Sequence, residues 1–219
     1  MYRLLLLLSL LPLLAAIILR RFNADRILRK QGQKLLTKPA EDTARKMLDS
    51  MGCEKIELRK KKSLWSHLNP PSDTYVELPN FTKGKRHPGT VESHASAALQ
   101  IGIFLLGQRE PSAIAKRAWA IRFGHVFPTF ATIVTVFAIA VGKLPTLWGL
   151  SAIIGSLGLA ACAQTLALAC ELRAATLASV VLDKKRIFHR LSEEELVTTA
   201  IRAQAWKSIV PGLLSRFMS

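Results

Sequence analysis

The feature that most restricts this chain is an apolar block from Phe123 to Cys170, in which Lys143 is the only full charge. A membrane-spanning helix needs about 20 predominantly apolar residues. Phe123–Val141 just reaches that length and Leu147–Cys170 exceeds it. The short break between them carries Gly142 and Pro145, which suit a turn between antiparallel helices. The pattern predicts a transmembrane hairpin. A buried helix pair of a soluble protein would instead show polar stripes.

Leu4–Leu19 forms another apolar run, flanked by Arg3 and followed by Arg20 and Arg21. A Leu-rich run of this length also fits a cleavable leader. The basic cluster comes after the run, which favours a retained anchor with that cluster on the inner side. Three spans then place almost all the cationic residues and both polar segments on one face.

The segments between them alternate in character. Pro39–Ser50 reads as a helix with Pro39 at its first position, an apolar face of Ala40, Ala44, Met47, Leu48 and Met51, and Gly52 as its stop. Lys55–Arg59 and Thr74–Leu78 alternate as short half-buried strands do. Thr90 caps a predicted helix running to Leu106, with Gly107 after it. Pro111–Arg122 is basic and amphipathic, with Trp119 suited to a membrane interface. In the second helix of the hairpin, Ser151, Gly155, Gly158 and Cys162 stack on one side and allow close helix packing. Ala174–Leu182 continues that helix into water. Ser192 has capping-box spacing to Glu195 and opens the last helix.

Together these predict a mainly α fold with a small β element. Residues 1–22 form an anchor, 23–122 a small α+β inner-side domain, 123–172 the hairpin and 173–219 an inner-side helical tail. The net charge of +16 invites anionic partners. The apolar spans argue for a membrane and against nucleic acid. Arg20, Arg21, Lys116, Arg117, Arg122, Lys184, Lys185 and Arg186 are the candidates for holding anionic phospholipid headgroups, cardiolipin among them. An odd set of three cysteines without a CxxC pair predicts neither a disulfide framework nor a cysteine zinc site.

The order of parts resembles the neutral zinc metallopeptidase family of membrane proteins. A TGAE-like position falls at Lys38-Pro39-Ala40-Glu41 and an HYDP-like one at His67-Leu68-Asn69-Pro70. An E-x-D-A-S-like position falls at Glu171-Leu172-Arg173-Ala174-Ala175, and a TxEE-like cap at Leu191-Ser192-Glu193-Glu194. The resemblance implies an HExxH helix over Val91–Gln100, in which two histidines hold zinc and the glutamate is the general base. This chain departs from the family there. With His94 as first ligand, the base and second-ligand positions hold Ala95 and Ala98. One residue earlier, the three positions hold Ser93, His94 and Ala97. His94 and Glu171, the third-ligand position, are the vestigial positions. Their bland readings are a polar side chain at a helix-packing surface and a helix-end carboxylate paired with Arg173 or another local cation. His67, His87, His125 and His189 are assigned no role.

These readings lead to an expectation of a non-catalytic, metallopeptidase-like integral membrane protein with no cofactor. It would serve as a structural accessory subunit, with other subunits of a membrane complex as partners. The basic, disulfide-poor inner side fits the matrix face of the mitochondrial inner membrane, and by analogy a respiratory-chain or ATP synthase complex. It fits a bacterial plasma membrane on the same physics. The alternatives are a membrane zinc peptidase with an atypical site and a lipid-binding membrane protein.

Overall fold

A computed structural model describes residues 2–60, 74–80, 87–211 and 214. The His67–Pro70 motif and Lys83, Lys85 and Arg86 lie outside these residues. Among the described residues the fold is mainly helical, with a small sheet. Helix α1 (Tyr2–Arg20) runs through a π turn at Arg21–Asp25 into α2 (Arg26–Gln31). Helix α3 (Ala40–Ser50), strands β1 (Glu57–Lys60) and β2 (Tyr75–Leu78), α4 (Val91–Arg109), α5 (Pro111–Ala140), α6 (Thr146–Lys185) and α7 (Leu191–Trp206) follow. A 3₁₀ turn at Lys207–Ile209 ends the series.

Helix α4 sits at the centre. It packs against α3, α5, α6, α7 and β2. Val91–Leu99 and Ile101–Leu106 are all buried, so the helix has no solvent face along most of its length. Its sequence suits this position, with small residues (Ser93, Ala95, Ser96, Ala97, Ala98) in the first half and large aliphatics later. Buried N-terminal N–H groups need acceptors, and the chain supplies them from several places. The Thr90 hydroxyl accepts from Ser93 N, while Val91 N and Glu92 N donate to the carbonyls of Lys34 and Gly32. Thr90 is therefore the predicted cap, but the helix runs on through Gly107 to Arg109. Gly107 does not terminate it, because Glu110 N still closes onto the Leu106 carbonyl.

The hairpin is present. Helices α5 and α6 are both long and apolar enough to cross a membrane. Helix α5 is a single rod from Pro111, so the basic amphipathic segment and the apolar one are continuous. Its outward face carries Val126, Phe130, Ile133, Val134 and Phe137, the last 70% exposed. The turn between the helices is a Schellman ending: Gly142 N donates to Ile139 O and Lys143 N to Ala138 O. Gly142 takes a φ of 73°, which glycine adopts without steric cost. Gly52 closes α3 in the same way at φ 74°, with bonds to Asp49 O and from Cys53 N to Leu48 O.

Helix α6 has 40 residues, about 60 Å at 1.5 Å per residue. Its first part pairs with α5 and α1, and its last part packs against α4 and α7. It thus runs unbroken past Leu172, as α5 does past Arg122.

Of the small-residue stripe, the four members behave differently. Gly158 lets α1 approach: a Cβ there would lie 2.5 Å from the Ser9 carbonyl oxygen. Gly155 faces open space, Cys162 is exposed, and Ser151 donates to its own helix at Leu147 O. The tightest approach to another helix's backbone is instead at Gly102, where an added Cβ would strike the carbonyl of Ala174.

Three local expectations need correction. Pro39 is the N-cap of α3, with extended ψ of 152°, and Ala40 is the first helical residue. Strand β1 is largely exposed, and only β2 buries alternate residues, Val76 and Leu78. The two strands pair in parallel, Glu57 opposite Tyr75. Ser192 caps nothing: α7 begins at Leu191, and the N–H groups of Glu193 and Glu194 bond to Arg190 O. Ser192 is already inside the first turn, where a hydroxyl is badly placed to bond the N–H groups ahead of it.

The glycine contacts give a direct test. Gly102→Ala overpacks the α4–α6 seam and should cost about 1–3 kcal/mol, seen as a lower melting temperature of the purified protein. Gly155→Ala meets nothing and should not lower it.

Candidate functional site

His94 and Glu171, the two positions that the resemblance would make vestigial ligands, lie on opposite sides of α4. Residues two apart on a helix are separated by about 200°, so His94 and Ser96 point away from each other. His94 is fully buried against α3 and the loop before α7. Its Nε2 lies 2.9 Å from the Lys38 carbonyl and its Nδ1 2.9 Å from the Thr43 hydroxyl. A carbonyl can only accept, so Nε2 carries the proton and the lone pair on Nδ1 receives the Thr43 O–H. Phe188 meets the ring edge-on at 5.8 Å. Both nitrogens are used inside the protein. Burial also pushes the His94 pKa below its ordinary value, with the Lys38 carbonyl opposing. Ser93, the ligand position in the other register, donates to His87 O at 2.9 Å.

Glu171 lies elsewhere, 5% exposed at the end of the apolar part of α6. One of its oxygens, Oε1, accepts from Arg117 Nη2 at 2.8 Å and Nε at 3.2 Å. Sequence reasoning expected Arg173 or another local cation. Arg173 reaches Glu110 instead, at 3.1 Å, and the partner comes from the neighbouring helix α5.

Glu171 lines a pocket of about 240 Å³ formed by α4, α6 and α7. Ser96 and Gln100 come from α4, Gln204 from α7, and Lys207 and Ser208 from the turn beyond it. Lys207 also binds Glu92 across the helices at 2.7 Å. Two buried atoms at this pocket have no hydrogen-bond partner, Ser96 Oγ and Gln204 Oε1. A second pocket, of about 260 Å³, lies on the His94 side and is lined by Lys38, Thr43, Phe188 and Glu193. His94 and Glu171 share neither pocket. Among the described residues, no three His, Cys, Asp or Glu side chains converge as metal ligands.

Other candidates separate by exposure. Arg20 is buried, with Nε 3.6 Å from Asp25 but no hydrogen bond at Nε or Nη1, whereas Arg117 is held by Glu171. Arg21, Lys116, Arg122, Lys184, Lys185 and Arg186 are exposed. His125 Nδ1 donates to Ile121 O within its own helix. His87 Nδ1 accepts from Gly89 N, and His189 is exposed.

No protein-family model, curated protein or solved structure matches the chain.

The pocket residues Ser96, Gln100, Gln204 and Lys207 were not singled out from sequence. A signal for them exists. Glu92, Ser96 and Gln100 recur every four residues on one face of α4, and Gln204 and Lys207 are three apart, the spacing of helix neighbours.

The sign of the pH effect at His94 follows from its lowered pKa. The unfolded chain takes up a proton near pH 6.5, while the folded ring resists it. Stability from the neutral ring is therefore full above that pH and is lost as pH falls through 6.5 toward the folded value. Melting temperature should drop between pH 7.5 and 5.5, and drop less in His94→Gln. Thr43→Val leaves a buried lone pair unmet and should cost about 1–3 kcal/mol at pH 7.5, read from the same melts.

Proposed function

We propose that this chain is a non-catalytic, metallopeptidase-like integral membrane protein that serves as a structural accessory subunit of a larger membrane complex. The observation that carries this reading is the state of His94. Its two nitrogens are committed to Thr43 and to the Lys38 carbonyl, on the side of α4 away from Glu171. Alanines occupy the remaining HExxH-like positions in the first register, and no base is left in that frame to activate a water. A helix with this composition packs well against its neighbours and lacks the groups that peptide hydrolysis needs.

The membrane part of the proposal has three spans. Helices α5 and α6 provide two, and α1, with outward-facing Leu11, Leu14 and Ile18, the third. The outer face of α5 then meets lipid or a neighbouring subunit's helix. The exposed cations Arg21, Lys116 and Lys184–Arg186 suit an inner leaflet rich in anionic phospholipid, cardiolipin included. We assign the complex to the mitochondrial inner membrane, in a respiratory-chain or ATP synthase assembly, by analogy with accessory subunits drawn from enzyme folds.

Two measurements test the proposal. After mild detergent extraction, the protein should migrate on native gels with a large assembly. Migration at 24.2 kDa plus a micelle removes the subunit reading. Metal analysis of the purified protein should return zinc well below one per chain, and stoichiometric zinc bound through Glu171 would restore the peptidase alternative.

A further inference from the structure

The pocket on the His94 side of α4, about 260 Å³, gathers cations from three segments of the chain. Lys38 comes from the loop before α3, Lys46 from α3 itself, and Arg190 from the loop before α7. Among the described residues, no carboxylate comes within ion-pair distance of any of the three. Glu193 is the one carboxylate lining the pocket, and the three cations outnumber it. Two of them also crowd each other. Contact with Lys38 pushes the Lys46 pKa below its ordinary value, its charge acting the same way and Asp42 opposing. Like charges brought together destabilise each other, and these two meet at the wall of one cavity. Lys46 and Arg190 are exposed and Lys38 is half-buried, so their charges are open to a ligand. The pocket also borders the starts of α3 and α7, neither of which has a side-chain cap. Helix starts carry partial positive charge. Ile187 and Phe188 add an apolar wall.

We propose that this pocket binds a phosphate monoester, with Lys38, Lys46 and Arg190 holding the phosphate. Such a group presents three strong acceptor oxygens to two ammonium groups and a guanidinium, and arginine can hold it through two parallel bonds. The organic part then lies against Ile187 and Phe188. A carboxylate, with one charge and two oxygens, matches three cations less well. Two sources carry this group: a small dissolved phosphate ester, and the headgroup of phosphatidic acid. The stretch of α6 from Cys170 to Lys185 is about 22 Å long at 1.5 Å per residue, and Ile187 lies just past its end. With the hairpin upright in a bilayer, the pocket stands clear of the headgroups, which favours the dissolved source. That choice of source rests on the membrane reading proposed above, and phosphate binding itself does not.

The test uses the full chain in nanodiscs of phosphatidylcholine at pH 7.5. Ethyl phosphate should raise the melting temperature in a saturable way, by about 3 °C near saturation. Propionate and chloride at the same ionic strength should not. Lys46→Gln and Arg190→Gln should each weaken ethyl phosphate binding about three- to tenfold. Both side chains are exposed, so both variants should fold. Lys30→Gln removes an exposed cation that does not line the pocket, and should bind as the parent does. Replacing part of the phosphatidylcholine by phosphatidic acid of the same acyl chains separates the sources. A rise with ethyl phosphate alone identifies the dissolved ester. A rise with phosphatidic acid alone, lost in Lys46→Gln, keeps the phosphate site and assigns it to lipid. The proposal is overturned if neither phosphate shifts the melt, if propionate or chloride acts as ethyl phosphate does, or if Lys30→Gln weakens binding as much as Lys46→Gln.

Discussion

Everything in this fold is arranged around a helix that has nowhere to face outward. Along most of its length α4 is enclosed by α3, β2, α5, α6 and α7. Such a helix must be slim where its neighbours crowd it and must neutralise every polar group it carries. The run of serine and alanine from Ser93 to Ala98 meets the first requirement, and Gly102 meets it at the crossing with α6. The second is met mostly by partners distant in sequence: Lys207 for Glu92, Thr43 and the Lys38 carbonyl for His94. Ser96, which with Leu99 and Gln100 lines the pocket beside Glu171, is the exception.

Two partly buried ion pairs tie separate helices into one body. Arg117 to Glu171 joins α5 to α6, and Lys207 to Glu92 joins the turn after α7 to α4. Taking charges out of water is expensive, so such pairs contribute less to net stability than their short distances imply. Breaking one side strands the other, and this penalises any packing in which the helices slide. Arg117 and Glu171 come from the two helices of the hairpin, so their pairing also fixes its register at the end opposite Gly142.

Much of the architecture was readable from the sequence because periodicity and punctuation are local. The apolar block and the Gly142–Pro145 break placed α5 and α6, and Gly52 placed the end of α3. Thr90 marked the start of α4. What failed were decisions made by neighbours. Gly107 has the residue type of a stop, yet the helix continues there. Ser192 had the spacing of a cap, but α7 starts one residue earlier. The stripe through Gly155 and Cys162 looked like a packing face, and only Gly158 meets another helix closely. The site was less legible still. The lack of an HExxH pattern was plain in Ala95, Ala97 and Ala98, but the Glu171–Arg117 pair spans 54 residues of sequence. Nothing local announces such a pairing.

Helix α6 runs without a kink-forming proline from Thr146 to Lys185, and the same rod lies in both the apolar hairpin and the polar body. With no joint between them, the two ends form one continuous rod. Were the apolar end tilted, by a bilayer or by a neighbouring protein, the Ala174–Leu182 end would move with it and load α4 at the Gly102 crossing. A load on the hairpin would thus reach the polar body along one unbroken helix.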